Sequence, residues 1–382
     1  MEKRFVYADN ASTTKISPGV LDAMMPYLTE QYGNASSVYS LGRKAKIAVE
    51  TAREKTALAL GCQPSEIFFT SGGTEADNLA IYGICRALAS QGKNHIITTA
   101  IEHPAVLNTC KELEKNGFDV TYIFPDVNGI IDPSDIKKAI TCRTALVSVM
   151  YANNETGAIQ PVNETALICK EKNVFFHTDA VQAVGQLKIN TAEQNIDLLS
   201  VSGHKLHAPK GTGALYIRKG LPFYPLFSGG NQEKGIRPGT ENTASIAGFG
   251  YAMEEAMASL SERYITVSML RDRLTGKLLS IPGVTLNGDK KNRLPGHCNV
   301  SVSGIDAEGL LLMLDLKGIC ASAGSACTSE DSQPSHVLRA MGISKEAAKS
   351  SVRFSLGDDL TAEDTDYIAH VFAEAVKKLR KK

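Results

Sequence analysis

The chain has 382 residues, 43% hydrophobic and 21% charged, which excludes a disordered polymer. Because one core stops growing near roughly 250–300 residues, that length predicts a large domain joined to a smaller one. Lys plus Arg and Asp plus Glu both number 41, so no net positive charge draws the chain to nucleic acid, and no direct nucleic-acid partner is expected. The apolar stretches fall well short of the roughly 20 residues that span a bilayer. The N-terminus lacks the apolar core of a signal peptide. A cytoplasmic protein with no membrane partner is therefore expected. Eight cysteines are scattered along the chain without any C-x-x-C pair, which argues against a structural zinc site or a dithiol centre. Most should be reduced, buried and inert.

Strand-length apolar runs alternate with helical patterns over the first two-thirds. Strands are predicted at 66–70, 95–99, 119–124, 145–150, 174–178 and 197–202, and helices at 74–90, 104–116, 133–140 and 163–172. This alternation predicts an α/β fold with a mainly parallel sheet flanked by helices. Ligands of such sheets bind beyond the carboxyl ends of the strands. After Thr240 the texture changes. A long helix is predicted over 243–280, then a strand at 298–303, a helix over 307–316, a loop of small residues over 321–332 and a helix from about 335. A strand at 351–355 and a final helix capped at Thr361 complete a smaller α+β domain. The expected division is a large domain over 16–250, and a small one made of 1–15 and 251–382.

Ser202-Gly203-His204-Lys205 stands where a predicted strand ends. A lysine among small residues that let a bulky group approach the backbone can form a Schiff base with an aldehyde, as pyridoxal phosphate requires. Taken alone, it is more often a solvated surface residue. Three further features meet the other needs of that cofactor. Ser71-Gly72-Gly73-Thr74-Glu75, between a strand and a helix, offers N–H groups and the positive end of a helix to a phosphate. Asp179, at the end of 174–178, offers an anion to a pyridinium nitrogen. Asn154 and Gln182 offer polar side chains to the ring oxygen. Each has a bland alternative as turn or cap, but all sit at the same edge of the sheet. His103, in Glu102-His103-Pro104, fits either a structural histidine or a ring stacked on the cofactor that also moves protons. Arg353, in an alternating strand, fits either an edge charge or a clamp on a carboxylate. Cys327 lies in Ser322-Ala323-Gly324-Ser325-Ala326-Cys327-Thr328-Ser329, a run without an apolar anchor, where an inert thiol would be a liability. Cys320 reads as the end of a strand and a core residue.

Together these stretches resemble the cysteine desulfurases of NifS/IscS type, in the pyridoxal-phosphate class V aminotransferase family. The matching segments are Tyr7 to Thr14, Thr70 to Glu75, Glu102 to Pro104, Asn153 to Gly157, His177 to Gln182, Ser202 to Lys205, Arg237 to Asn242, Gly324 to Ser329 and Val352 to Ser355. They run in family order along essentially the whole chain. The Gly324-Ser-Ala-Cys-Thr-Ser329 segment points to relatives with a long cysteine loop.

The resemblance implies the type I fold of pyridoxal-phosphate enzymes and a homodimer. It implies that Lys205 holds the cofactor, that Gly73, Thr74, Ser202 and His204 bind its phosphate, and that Thr240 reaches the phosphate of the neighbouring subunit. Asp179 would pair with the ring nitrogen, Gln182 and Asn154 would contact the ring side, and His103 would stack on the ring. Arg353, with Asn154 beside it, would bind the carboxylate of L-cysteine. Cys327 would accept the sulfur as a persulfide, with Cys327, Lys205 and His103 as the catalytic set. An iron–sulfur scaffold protein or a tRNA-thiolating enzyme would then receive the sulfur. No metal is implied for the chain alone, Cys327 being at most a transient iron–sulfur ligand shared with a partner. Two departures from the family pattern stand out: Gly33 to Tyr39, where no substrate contact is carried over, and Asp358-Asp359, in a region often basic.

Overall fold

The structure is a computed structural model that describes residues 4–323 and 334–380. Its largest element is a sheet of seven strands. A two-residue strand, β1 (Val6–Tyr7), and two helices, α1 (Pro18–Thr29) and α2 (Ser40–Leu60), precede it. The sheet then builds through β2 (Ile67–Thr70), α3 (Gly73–Ala89), β3 (His95–Thr99), α4 (Pro104–Lys115), β4 (Asp119–Ile123), α5 (Pro133–Ala139), β5 (Thr144–Ser148), α6 (Val162–Glu171), β6 (Phe175–Asp179), β7 (Leu198–Ser202) and β8 (Gly213–Ile217).

The pairs β3/β4, β3/β5, β5/β6 and β6/β7 are parallel. Strand β8 alone runs opposite, inserted between β2 and β7. It was not among the predicted strands, because it starts inside Pro209-Lys210-Gly211-Thr212-Gly213, a run of turn formers that leaves only four apolar residues to mark it. Burial on both faces explains why these strands read as continuous apolar runs. Adjacent residues point to opposite sides: Phe68, Ile96 and Leu198 pack with α3 and α4, whereas Phe69, Ile97 and Leu199 pack with the residues of α2 and the following helix α7 (Thr243–Ala258).

The predicted helix over 243–280 is two helices, α7 and α8 (Leu260–Leu279), meeting at Ser259. Each serves a different core. Phe249, Ala252, Met253 and Ala256 of α7 join the apolar cluster under the large sheet. Val267, Leu270, Leu274 and Leu278 of α8 join a second cluster with Val300, Phe354 and Phe372. That second cluster lies around β9 (Val284–Leu286), β10 (His297–Val302), α9 (Ala307–Asp315), β11 (Ile319–Cys320), the short helices α10 (His336–Ala340) and α11 (Lys345–Lys349), β12 (Ser351–Ser355) and α12 (Ala362–Leu379). Strands β12, β10 and β9 form one antiparallel sheet, and β1 pairs with β11. Single bridges, Asp9 with Ser355 and Ser322 with Arg353, tie those two strands to β12. Thr361 caps α12 reciprocally with Asp364, as its sequence predicted.

Helices α1 and α2 carry little periodic signal because α2 buries small residues, among them Ala45, Ala48 and Ala52. The reason is close packing on α7: a Cβ on Gly250 would lie 2.5 Å from the Ala52 Cα. Phe372, fully buried and edge-on to Phe354 with ring centroids 6.0 Å apart, anchors the second core. Replacing Phe372 with Ala is expected to cost about 3–5 kcal/mol, read as a lower midpoint in denaturant unfolding.

Candidate active site

The carboxyl ends of β2, β3, β5, β6 and β7 open on one cleft of about 850 Å³. Each brings to its lining residues that the sequence singled out. Gly73 and Thr74 come from the turn that starts α3, His103 from the loop after β3, and Asn154 from the loop after β5. Asp179 and Gln182 come from the end of β6, and Ser202, His204 and Lys205 from the end of β7. Arg353 enters from β12. Thr240 is exposed and does not line this cleft. Cys327, and with it most of the predicted 321–332 loop, lies outside the described residues. Cys320 ends β11 as predicted but is half-buried rather than in the core. Of the other described cysteines, Cys85, Cys110, Cys169 and Cys298 are buried, as expected, whereas Cys62 is half-buried and Cys142 exposed.

The turn that starts α3 is shaped by its glycines. Gly72 has φ +146°, open to glycine and strained for any other residue. A Cβ on Gly73 would come within 2.8 Å of Val181 Cγ2. The turn is tied down through Glu75, which accepts from the Ser71 N–H at 2.9 Å and from Arg237 Nε at 2.8 Å. On the opposite wall, Asn153 shapes the loop after β5 by donating to the Ile101 carbonyl at 3.0 Å and accepting from the N–H groups of Glu155 and Thr156. Asn154 is thereby presented to the cleft, and its carbonyl accepts from Arg353 Nη1 at 2.9 Å.

The N-terminal segment after β1 crosses this cleft. Lys205 Nζ donates to the carbonyls of Ala11 and, at 2.7 Å, Ser12. Gln182 Nε2 donates to the same Ala11 carbonyl at 3.0 Å. The His204 carbonyl accepts from the Thr14 N–H at 2.9 Å, while its ring Nδ1 lies 3.2 Å from Thr13 Oγ1. Sequence reasoning had not singled out Ser12 or Asp77, both of which line the cleft. For Asp77 a signal existed: it lies one helical turn after Gly73, on the face of α3 that starts the site.

Three carboxyl groups are buried here: Asp77 and Asp179, which line the cleft, and Glu102 beside His103. Burial raises the Asp179 carboxyl, and nearby His103, the Val181 N–H and Lys205 offset it. Burial, with Asp179 and Glu102 adding to it, raises Asp77 well above the usual carboxylate range. Asp77 Oδ1 has no hydrogen-bond partner among the described residues and lies 3.6 Å from His177 Nε2. Burial pushes His177 down to about 3, so its ring is neutral and hydrogen-bonds Ser148 and Ser200. His103 is likewise lowered by burial, and its Nδ1 accepts from the Ala105 N–H at 3.1 Å as the cap of α4. A neutral His103 that accepts at Nδ1 carries its proton on Nε2, and takes up a second proton only when Nδ1 releases the Ala105 N–H.

This set suits a phosphorylated aldehyde with a basic ring nitrogen. The amine of Lys205, the glycine turn at a helix start and the buried Asp179 face one space. Burial penalises the charge on Asp179, so a cationic ring nitrogen is the partner that would stabilise it. Among the described residues no group of three or more His, Cys, Asp or Glu is placed to hold a metal ion.

Burial pushes the Glu102 carboxyl up to about 8, although its Oε1 accepts from Thr99 Oγ1 and the Met150 N–H. Between the ordinary carboxyl range and that value, the folded chain keeps a proton that the unfolded chain releases. Stability conferred through Glu102 therefore falls as pH rises through this window. Glu102→Gln removes the titration, and its stability relative to the parent chain should improve by a few kcal/mol at most between pH 5 and pH 8. Denaturant unfolding at both pH values measures it.

The family model described as Aminotransferase class-V matches residues 6–368. The protein named Cysteine desulfurase IscS of Methanosarcina thermophila is 51% identical over 379 residues, which cover 99% of this chain and 94% of that protein. A protein of the same name from Clostridium botulinum (strain Hall) is 52% identical over 378 residues, covering 98% of this chain and 95% of its own. A solved structure described as a NifS-like protein matches with a TM-score of 0.93 at 39% identity, covering 98% of this chain and 100% of that one.

Proposed function

The chain belongs to the class-V aminotransferase family and is a pyridoxal-phosphate-dependent cysteine desulfurase of type I fold, and from that premise we propose how its residues divide the work. The observation that carries the proposal is the meeting of Lys205, Asp179, Gly73 and Arg353 in one cleft. When bound, pyridoxal phosphate supplies an electron sink for the carbanion that forms at the substrate Cα.

Lys205 provides the amine that takes the aldehyde, and the base that moves the Cα proton. Gly73, Thr74, Ser202 and His204 hold the phosphate. Asp179 keeps the ring nitrogen protonated, Gln182 and Asn154 contact the ring side, and His103 stacks on the ring. Arg353, with Asn154 beside it, receives the carboxylate of L-cysteine. The thiolate of Cys327 attacks the substrate sulfur. The carbon–sulfur bond of L-cysteine breaks, a sulfur–sulfur bond forms on Cys327, and L-alanine leaves. An unperturbed thiol has a pKa of about 8.5, so a base must assist, and neutral His103 is proposed for that role.

The division into 16–250 and 1–15 with 251–382 is part of the proposal. The two apolar cores support it, with the joint lying closer to Ser259 than to residue 250. A homodimer is proposed as well. Thr240 stands exposed away from its own cleft, and Tyr32, Val38, Tyr39 and Ile47 are exposed apolar side chains suited to a partner surface. The persulfide would pass to an iron–sulfur scaffold protein or a tRNA-thiolating enzyme. No helix among the described residues is long and apolar enough to cross a membrane, and a cytoplasmic location is proposed.

Mass spectrometry after incubation with L-cysteine should find one added sulfur atom, on Cys327. Cys327→Ser should lose alanine formation while keeping the visible absorbance of the bound cofactor. Undiminished turnover in that variant, or sulfur on another residue, contradicts the assignment.

A further inference from the structure

Arg353 is 1% exposed and offers five N–H donors. Nη2 spends both of its hydrogens, on Asp9 Oδ1 at 2.9 Å and Ser12 Oγ at 2.7 Å. Nη1 gives one to the Asn154 carbonyl at 2.9 Å. Nε is buried with no acceptor among the described residues. The guanidinium is thus fixed in plane by partners on two sides, with donors left over that meet no acceptor among the described residues.

Asp9 also changes what Arg353 can do. Its carboxylate pairs with the guanidinium at 2.9 Å, so the net charge available to an incoming anion is reduced. A carboxylate arriving here depends less on Coulomb attraction and more on directional donors. Ser12 is placed to be one. Its hydroxyl accepts from Arg353 Nη2 and so retains its own proton to donate. The neighbouring hydroxyl, Ser322 Oγ, lies at 3.3 Å, longer than a good O–H···O bond, and itself donates to Asp9 Oδ2 at 2.8 Å. The Ser12 carbonyl meanwhile accepts from Lys205 Nζ. One residue therefore touches both the group that handles an amine and the group that handles a carboxylate, the two ends of an α-amino acid.

We propose that Ser12 is a substrate-binding residue whose hydroxyl donates to the α-carboxylate held by Arg353, selecting free amino acids over their amides and esters. An amide would turn its own N–H₂ toward these donors and leave them unpaired. The inference rests on the desulfurase reading above and adds to it a residue that sets carboxylate specificity.

The test uses the cofactor-loaded enzyme, with L-alanine and L-alaninamide as probes followed by the shift in visible absorbance, and L-cysteine turnover measured in parallel. Ser12→Ala should weaken L-alanine about 10-fold, as for a lost hydrogen bond to a charged group, and raise KM for L-cysteine by a like factor, with kcat within about twofold. Alaninamide binding should not change, and Ser12→Thr should restore L-alanine binding. Unchanged L-alanine affinity in Ser12→Ala, or equal loss for both probes, overturns the assignment of Ser12 while leaving the desulfurase reading intact. A parent enzyme that neither binds L-alanine nor turns over L-cysteine overturns both.

Discussion

Two backbone carbonyls, those of Ala11 and Ser12, hold the ammonium of Lys205, and the rest of the site is arranged around that contact. Lysine is a flexible side chain with a compact charge, and at a strand end it would ordinarily swing into water. Here the segment after β1 crosses from the smaller sheets to the edge of the large one and fixes it. The same few residues bond Gln182, His204 and Arg353. Groups from both apolar cores are thereby brought to a common point by main-chain geometry rather than by side-chain packing alone.

The chemistry of the cleft follows from what surrounds that amine. Parallel strands send their carboxyl ends to one edge, so five loops deliver polar groups while the strands stay apolar. Burial then sorts those groups by charge. It keeps His177 neutral, raises Asp77 and Glu102, and leaves Asp179 the carboxyl whose burial the nearby His103 and Lys205 offset. A carboxyl that burial disfavours as an anion answers most strongly to a cation placed against it, which is the property a ring-nitrogen partner needs.

Much of this was legible in the sequence. The strands that end at Asp179 and Ser202 were visible as short apolar runs bounded by polar residues, and once those runs were read as parallel, the loops that follow had to share an edge. What escaped has physical causes. Strand β8 emerges from Pro209-Lys210-Gly211-Thr212-Gly213, which reads as a turn and leaves only a short apolar run. Helix α2 buries alanines against Gly250, so its apolar stripe is faint. The break at Ser259 separates two cores that one continuous helical pattern cannot distinguish. Ser12 was hidden for another reason: its role depends on a partner, Arg353, that lies 341 positions away along the chain. Arg353 could be read as edge charge or clamp, and its full burial between Asp9 and Asn154 excludes the exposed edge charge.

The central claim, that the amine at position 205 is the attachment point around which the site is built, has a direct measurement. The protein purified with its cofactor is reduced with borohydride, digested, and its peptides are weighed. The account predicts a pyridoxyl-phosphate mass on the peptide containing Lys205 and on no other. A label on a different lysine, or a reduced protein from which the cofactor washes away, would contradict it.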